Sequence, residues 1–130
     1  MKLRIKGDSL RLRVSPSEMT RLLQFGRVDE TIHFGPQHDA KLTYALVTSA
    51  PGARQNAAIS VRYEPQEVAV VVSAAQARSW ADGSNVGVYA EIDTGTGKLD
   101  IAVEKDFACL DKNDEQNEDT FPNPNQGVVC

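Results

Sequence analysis

The chain has the length and composition of one ordinary globular domain. Its 130 residues are 41% hydrophobic and 25% charged, with a formal net charge of −4, which excludes the disordered and fibrous classes. Two cysteines are too few for a disulfide-stapled scaffold, and the longest strictly apolar run, residues 68–72, is far too short to cross a membrane. Residues 2–6 alternate between charged and apolar, unlike the core of a signal peptide. We therefore expect a cytoplasmic protein with no membrane contact.

Opposite charges are concentrated at opposite ends of the chain. Residues 1–27 contain seven basic and two acidic side chains, whereas residues 104–119 contain two basic and seven acidic ones. A chain with this distribution either pairs its two ends internally or presents one of them to a partner.

A β-hairpin is predicted at the amino end. Apolar and charged residues alternate through residues 2–6 and again through 9–14, and residues 7–9 form the turn between them. A period of two places the apolar side chains on one face and the charged ones on the other. The charged face then carries five cations, which are Lys2, Arg4, Lys6, Arg11 and Arg13.

Two short helices are predicted, each with a capping residue in front of it. Ser15 caps the first helix, with Pro16 at the first helical position and Glu18 at the third. Ser73 and Gln76 have the same spacing before the second helix, which predicts a second capping box.

The predicted fold is α+β: a curved, mostly antiparallel sheet or partly closed barrel with two short helices. Residues 68–72 form an apolar run typical of a central strand that is covered on both faces. The strand–helix–strand pattern recurs, so that Val14 corresponds to Val72 and Val28 to Val86, which predicts a pseudo-repeat of strand–helix–strand units. Chance recurrence of such units in an α+β domain stays the alternative.

The sequence predicts a single α+β domain over residues 1–110, followed by a C-terminal arm over residues 111–130. The arm is acidic and contains Pro and Asn residues, and the prolines within residues 121–125 disfavour a helix. The arm either lies along the domain or is partly disordered, and Phe121 is the expected anchor if it docks. The core is expected to contain Leu3, Ile5, Leu10, Leu12, Val14, Leu22, Ile32, Tyr44, Ile59, Val70, Val72, Trp80, Val88, Ile101 and Val103.

Motifs at both ends resemble those of a small, uncharacterised bacterial family of β-rich proteins. The resemblance implies a β-rich architecture and brings no established activity. The motifs are Ile5-Lys6-Gly7 with Ser9-Leu10-Arg11-Leu12-Arg13, Glu104-Lys105-Asp106-Phe107 with Cys109-Leu110, and Phe121-Pro122-Asn123-Pro124.

The first third of the chain also resembles the swapped-hairpin domains of some bacterial transition-state regulators and antitoxins. That resemblance implies a dimer that binds DNA through a basic β surface. The matching residues are Gly7, Ser9, Leu10, Arg13 and Val14, followed by a short helix.

The cationic face of the hairpin is the candidate binding site. Like charges on two paired strands repel one another, so an anion should lie nearby. Nucleic acid would supply phosphates, but the negative overall charge and the absence of aromatic residues from the hairpin weigh against it. Carboxylates of the same chain are the preferred partners, and we expect these to be Asp100, Glu104 or those of the acidic arm.

No metal, cofactor or catalytic site is predicted. His33, His38, Cys109 and Cys130 lack the close ligand pairs that zinc sites use. Cys109 with a histidine as its base is the remaining route to an enzyme, although a small buried thiol is the commoner outcome.

We therefore expect a non-catalytic binding or interaction domain whose partner and oligomeric state the sequence leaves open. The alternatives are a DNA-binding regulatory module that uses the basic hairpin and, more remotely, a cysteine-dependent enzyme.

Overall fold

The computed structural model describes residues 1–49, 59–107 and 119–122, and within these ranges the chain forms eight strands and two helices. Neither helix has the length and apolar character that a bilayer crossing needs. In chain order the elements are β1 Lys2–Lys6, β2 Ser9–Val14, α1 Pro16–Phe25, β3 Arg27–His33, β4 Lys41–Ser49, β5 Ile59–Glu64, β6 Glu67–Ser73, α2 Ala74–Asp82, β7 Gly87–Asp93 and β8 Lys98–Lys105.

The strands form two four-stranded mixed sheets. Sheet A has the order β1-β2-β8-β7, and sheet B has the order β3-β4-β6-β5. In each sheet the two central strands are parallel, β2 with β8 and β4 with β6. The outer strands pair antiparallel with these central strands. The predicted hairpin of β1 and β2 is therefore confirmed, and so is the central position of β6.

The fold is α+β, but the expectation of one curved sheet or a partly closed barrel is wrong. Hydrogen bonding among the described residues divides the strands between two sheets, and each sheet keeps two edge strands. The reason lies in the helices, since α1 carries the chain from sheet A to sheet B and α2 carries it back. A local hydrophobic pattern does not show such a change of sheet.

The cap of α1 forms as predicted. The hydroxyl of Ser15 accepts a hydrogen bond from the backbone N–H of Glu18, and the Glu18 carboxylate accepts one from the N–H of Ser15. The helix ends at Gly26, whose φ of 80° lies in the left-handed region that favours glycine. Of the second capping box the structure shows one bond, from the N–H of Gln76 to the hydroxyl of Ser73 at 3.2 Å.

One hydrophobic core includes residues from the inner faces of both sheets and from the two helices, with Leu22 of α1 and Trp80 of α2 fully buried. The predicted core is buried or half-buried apart from Ile5 and Ile32, which are 60% and 47% exposed. Both residues lie one position before the end of an edge strand, β1 and β3 respectively. An edge strand has a neighbour on one side only, so period-two alternation there does not ensure burial.

Phe121 attaches the described C-terminal residues to the end of β8. Its N–H donates to the carbonyl oxygen of Asp106 at 2.8 Å, and its ring meets the ring of Phe107 edge-on with centroids 6.1 Å apart. Phe121 is thus an anchor, as expected. The predicted domain boundary at residue 110 lies outside the described residues and stays a prediction.

Candidate anion-binding face

Sheet A presents a strongly charged face that we call the charged face. Leu10, Leu12 and Val14 of β2 are buried in the core, so alternation turns Arg11 and Arg13 to the opposite side. The strand register extends this side across the sheet. A cationic half on β1 and β2 consists of Lys2, Arg4, Lys6, Arg11 and Arg13, and a carboxylate half on β7 and β8 consists of Glu91, Asp100 and Glu104.

The cations lie directly opposite one another across the first strand pair. The register places Lys2 against Arg13 and Arg4 against Arg11. Like charges at directly opposed positions destabilise a strand pair. An anion bound between these strands would reduce that repulsion.

Two members of the cationic half have a carboxylate partner among the described residues. The Nζ of Lys2 lies 2.8 Å from Oδ2 of Asp106, and the Nε of Arg11 lies 3.0 Å from Oε1 of Glu104. The other three cations form no ion pair with any residue that the structure describes. Within these ranges, internal pairing thus covers only part of the cationic half.

The parallel pairing of β2 with β8 brings the carboxylate half beside the cations. Asp100 lies opposite Ser9 on one side and opposite Glu91 on the other. Glu91 forms an ion pair with Lys98 at 2.8 Å. Asp100, an expected partner of the hairpin cations, makes no ion pair inside the described ranges, and it is exposed.

Tyr89 joins the two halves through Glu104. Its hydroxyl donates to Oε2 of Glu104 at 2.7 Å, while Oε1 of the same carboxylate faces Arg11. Partial burial, followed by the hydrogen bond and the negative charge of Glu104, raises the pKa of Tyr89 to about 12. The tyrosine therefore stays protonated at neutral pH, and its ring is held at a fixed position on an otherwise exposed surface.

Gly87 makes room for this hydrogen bond. A Cβ at position 87 would lie 2.6 Å from the carbonyl oxygen of Val103, 2.9 Å from Cγ of Glu104 and 3.1 Å from the hydroxyl of Tyr89. The first of these atoms belongs to the backbone and cannot move without moving β8. Glycine is thus required at the point where the Tyr89 side chain crosses toward Glu104.

A trough lies between the two halves of the charged face. Its floor includes Ala102, which the register places between Arg11 on β2 and Tyr89 on β7. Because the alanine side chain is short, a cavity of about 560 Å³ opens above it, and Asp100 and Glu91 line the same cavity. This volume falls within the range of small-molecule sites, about 300 to 1,000 Å³.

A smaller depression continues the trough into the cationic half. It has a volume of about 230 Å³ and is lined by Arg4, Lys6, Ser9 and Arg11. Ser9 and Arg11 line both cavities. One continuous surface therefore has cations at one end and carboxylates at the other.

The buried carboxylate of Glu18 is the centre of a second charged group. It accepts a hydrogen bond from the amine of Met1, which also lies 3.3 Å from Glu30. Burial by itself raises the pKa of Glu18, but the hydrogen bonds from Met1 and Ser15 outweigh it, so the pKa lies below its ordinary value. Because these charges pair with one another, we interpret the group as a structural link between the amino end and α1.

Of the histidines and cysteines, the structure describes only the two histidines. His33 ends β3 and His38 lies in the turn after it, and both are exposed. Within residues 1–49, 59–107 and 119–122, no three His, Cys, Asp or Glu side chains are grouped so as to hold a metal ion. Cys109 and Cys130 fall outside these ranges, so the structure adds nothing to the alternative of cysteine chemistry.

Sequence reasoning did not identify Tyr89, Glu91 and Ala102 as site residues. The alternation of Tyr89 and Glu91 with Val88 and Ala90 was a usable signal, since it turns the first two away from the core. What the pattern could not show is that β7 and β8 share a sheet with the hairpin.

Parts of the end motifs that the structure describes lie near the carboxyl end of β8. The Nζ of Lys105 donates to the carbonyl of Gly83 at 3.0 Å and lies 5.5 Å from the ring centroid of Phe121. The N–H of Asp106 donates to the carbonyl of Val14 at 2.9 Å. Described parts of the three motifs are thus neighbours, with Arg13 beside Glu104 and Phe121 beside Phe107.

Comparison with known proteins agrees with the resemblance of the motifs and adds no activity. No curated protein and no solved structure shows significant similarity to the chain. A family-wide sequence profile matches residues 1–125, and the chain therefore belongs to the family of unknown function DUF7009.

Proposed function

We propose that the chain is a non-catalytic binding domain and that its charged face binds a phosphate-bearing anion. The observation that carries this proposal is the crowding of five cations on β1 and β2, three of them with no ion pair to a described residue. Arginine and lysine side chains grouped in this way are the usual ligands of phosphate.

The geometry favours one binding region within the cationic half. Arg4 and Lys6 line the smaller depression together with Arg11, whose Nε is already paired with Glu104. Besides the Nε that faces Glu104, the guanidinium of Arg11 carries two terminal amino groups that can donate hydrogen bonds. Three side chains can therefore donate to one phosphate group.

The proposal is tested by fluorescence anisotropy with labelled inorganic polyphosphate. We expect the logarithm of the affinity to fall linearly with the logarithm of the salt concentration. The double variant Arg4→Gln with Lys6→Gln should bind at least about tenfold more weakly, because it removes two phosphate contacts.

A matched control removes an arginine and a lysine from sheet B, as Arg62→Gln with Lys41→Gln. This variant changes the net charge by the same amount and should bind like the original chain, within about twofold. An equal loss in both double variants would show a general charge effect and would contradict a localised site, as would the absence of binding by the unaltered chain.

The DNA-binding alternative makes a different prediction in the same assay. Duplex DNA would bind more tightly than polyphosphate, and Arg11→Ala with Arg13→Ala would abolish that binding. The cysteine-dependent enzyme requires a reactive thiol, so an unreactive Cys109 in alkylation at neutral pH would exclude it.

We also propose that the fold is a pseudo-repeat, as the strand–helix–strand patterns suggest. The element order supports it, since each half consists of a hairpin, a helix and a second hairpin. If each strand of sheet A is replaced by its counterpart in the other half, the order β1-β2-β8-β7 becomes β5-β6-β4-β3. This is the order of sheet B read from its other edge. A bacterial and cytoplasmic setting stays part of the proposal and rests on sequence patterns alone.

A further inference from the structure

We propose that the trough over Ala102 binds a nucleoside phosphate, with the phosphate at Arg4, Lys6 and Arg11 and the base beside Tyr89. This inference rests on the proposed function, since it needs the phosphate to bind at the cationic half. It goes further by assigning the rest of the ligand to the carboxylate half.

The charge distribution calls for a ligand with two unlike ends. A simple anion that filled the whole trough would lie against the exposed Asp100, which repels it, and beside Glu91, whose charge is partly offset by Lys98. A ligand with a phosphate at one end and hydrogen-bond donors at the other would meet complementary groups along its whole length. Nucleotides whose bases bear amino groups have this distribution.

The dimensions agree with a ligand larger than phosphate alone. Neighbouring strands lie about 4.8 Å apart, and the site spans four strands, from Lys6 on β1 to Glu91 on β7. The backbones of these two residues are therefore about 14 Å apart in one row of the sheet. An extended small molecule can contact both ends, whereas inorganic phosphate cannot.

Tyr89 provides a surface for the base. Tyr89 is 58% exposed, although its hydroxyl is fixed by Glu104. A ring that is already held in place loses little conformational freedom when a base stacks on it. Stacking of bases on aromatic side chains of an open sheet is a common mode of nucleotide recognition.

The carboxylates predict which bases are preferred. Asp100 and Glu91 accept hydrogen bonds, and their natural partners are N–H donors such as the N4 amino group of cytosine, or the ring N1–H and the N2 amino group of guanine. Uracil presents two carbonyl oxygens around a single N–H and would be repelled. We therefore expect cytidine and guanosine phosphates to bind about tenfold more tightly than uridine phosphates.

Isothermal titration tests the inference with CMP, GMP, UMP and pyrophosphate as separate ligands. We expect CMP and GMP to bind more tightly than pyrophosphate. Tyr89→Ala should weaken CMP binding about tenfold and leave pyrophosphate unchanged, whereas Tyr63→Ala, which removes an exposed tyrosine of sheet B, should alter neither. Thermal unfolding of each variant confirms that it is folded.

Asp100→Asn separates base recognition from phosphate binding. It should abolish the preference for CMP over UMP, and Asp39→Asn, in the exposed turn after β3, should preserve it. A short cytidine-rich single strand, titrated in parallel, shows whether the nucleotide is bound free or as part of a chain. If Tyr89→Ala also loses binding of the single strand, the free nucleotide and the strand use the same site.

The outcomes distinguish the two levels of the proposal. If pyrophosphate and all three nucleotides bind equally and Tyr89→Ala changes nothing, the nucleotide assignment is wrong while the anion-binding function stands. If polyphosphate, pyrophosphate and the nucleotides all fail to bind, both are wrong.

Discussion

The hydroxyl of Tyr89 donates to the carboxylate of Glu104 at 2.7 Å, across the antiparallel pair of β7 and β8. Glu104 also faces Arg11 on the neighbouring parallel strand. One carboxylate therefore contacts both the tyrosine on one side of the trough and the arginine on the other. The positions of these two side chains depend on Glu104.

Titration of Tyr89 checks this relationship. Burial and then Glu104 raise its pKa to about 12, and Glu104→Gln should lower that pKa because it removes the negative charge. Since the folded pKa lies above the unfolded value of 10.0, the stabilising contribution is complete below pH 10 and is lost as the pH rises through about 12. Alkaline titration by ultraviolet absorbance measures the pKa, and an unchanged value in Glu104→Gln would contradict the assignment.

Glu18 should make the stability depend on acidic pH. Its folded pKa lies below the ordinary value of 4.5, so its contribution is present above that value and is lost as the pH falls through the folded pKa. Glu18→Gln should reduce the free energy of unfolding at neutral pH by about 1 to 3 kcal/mol, because a nearly buried hydrogen-bonded charge is removed.

Urea unfolding at neutral and acidic pH measures the contribution of Glu18. The difference in the free energy of unfolding between the original chain and Glu18→Gln should shrink as the pH falls. Glu64→Gln, at an exposed position of β5, serves as the control and should change the stability by less than about 0.5 kcal/mol. If the free energies of unfolding of the two chains differ by the same amount at every pH, the ionised form of Glu18 is not what stabilises the fold.

Gly87→Ala should destabilise the sheet and disturb the trough together. The added methyl would meet the carbonyl of Val103 at 2.6 Å, which forces a backbone shift that costs about 1 to 3 kcal/mol. Gly97→Ala is the matched control, because a Cβ there meets no atom within 4 Å. Thermal unfolding compares the two variants, and equal melting temperatures would show that β7 and β8 pack less tightly than described.

Phe121→Ala should lower the free energy of unfolding by about 1 to 3 kcal/mol, less than for a fully buried phenylalanine, because Phe121 is only partly buried. The loss comes from its contacts with Phe107 and Lys105. Phe34→Ala removes a phenylalanine that is 69% exposed and should have an effect below about 0.5 kcal/mol. If the two variants unfold alike in urea, Phe121 does not anchor the chain.

Much of the local structure follows from short stretches of sequence. The hairpin, the cap at Ser15 and the central strand β6 each depend on residues that are close together along the chain. Alternation also indicates that Arg11 and Arg13 point outward, so the cationic half of the site could be predicted.

Asp100 and Glu104 of the carboxylate half are expected as partners of the cations from their charge alone, but no local pattern places them beside the hairpin. Their position depends on the parallel pairing of β2 with β8, whose strands are separated by most of the chain. No local pattern specifies which strand lies beside the hairpin, and a shift of one residue in that register would turn Asp100 and Glu104 to the other face. The trough over Ala102 exists only because of this register.

The central claim is that the charged face binds a phosphate-bearing anion, and an NMR titration of the backbone amides with pyrophosphate tests it most directly. The largest shifts should occur at Arg4, Lys6 and Arg11, and Arg4→Gln with Lys6→Gln should remove them. Shifts concentrated on sheet B, or no shifts at saturating pyrophosphate, would contradict the claim.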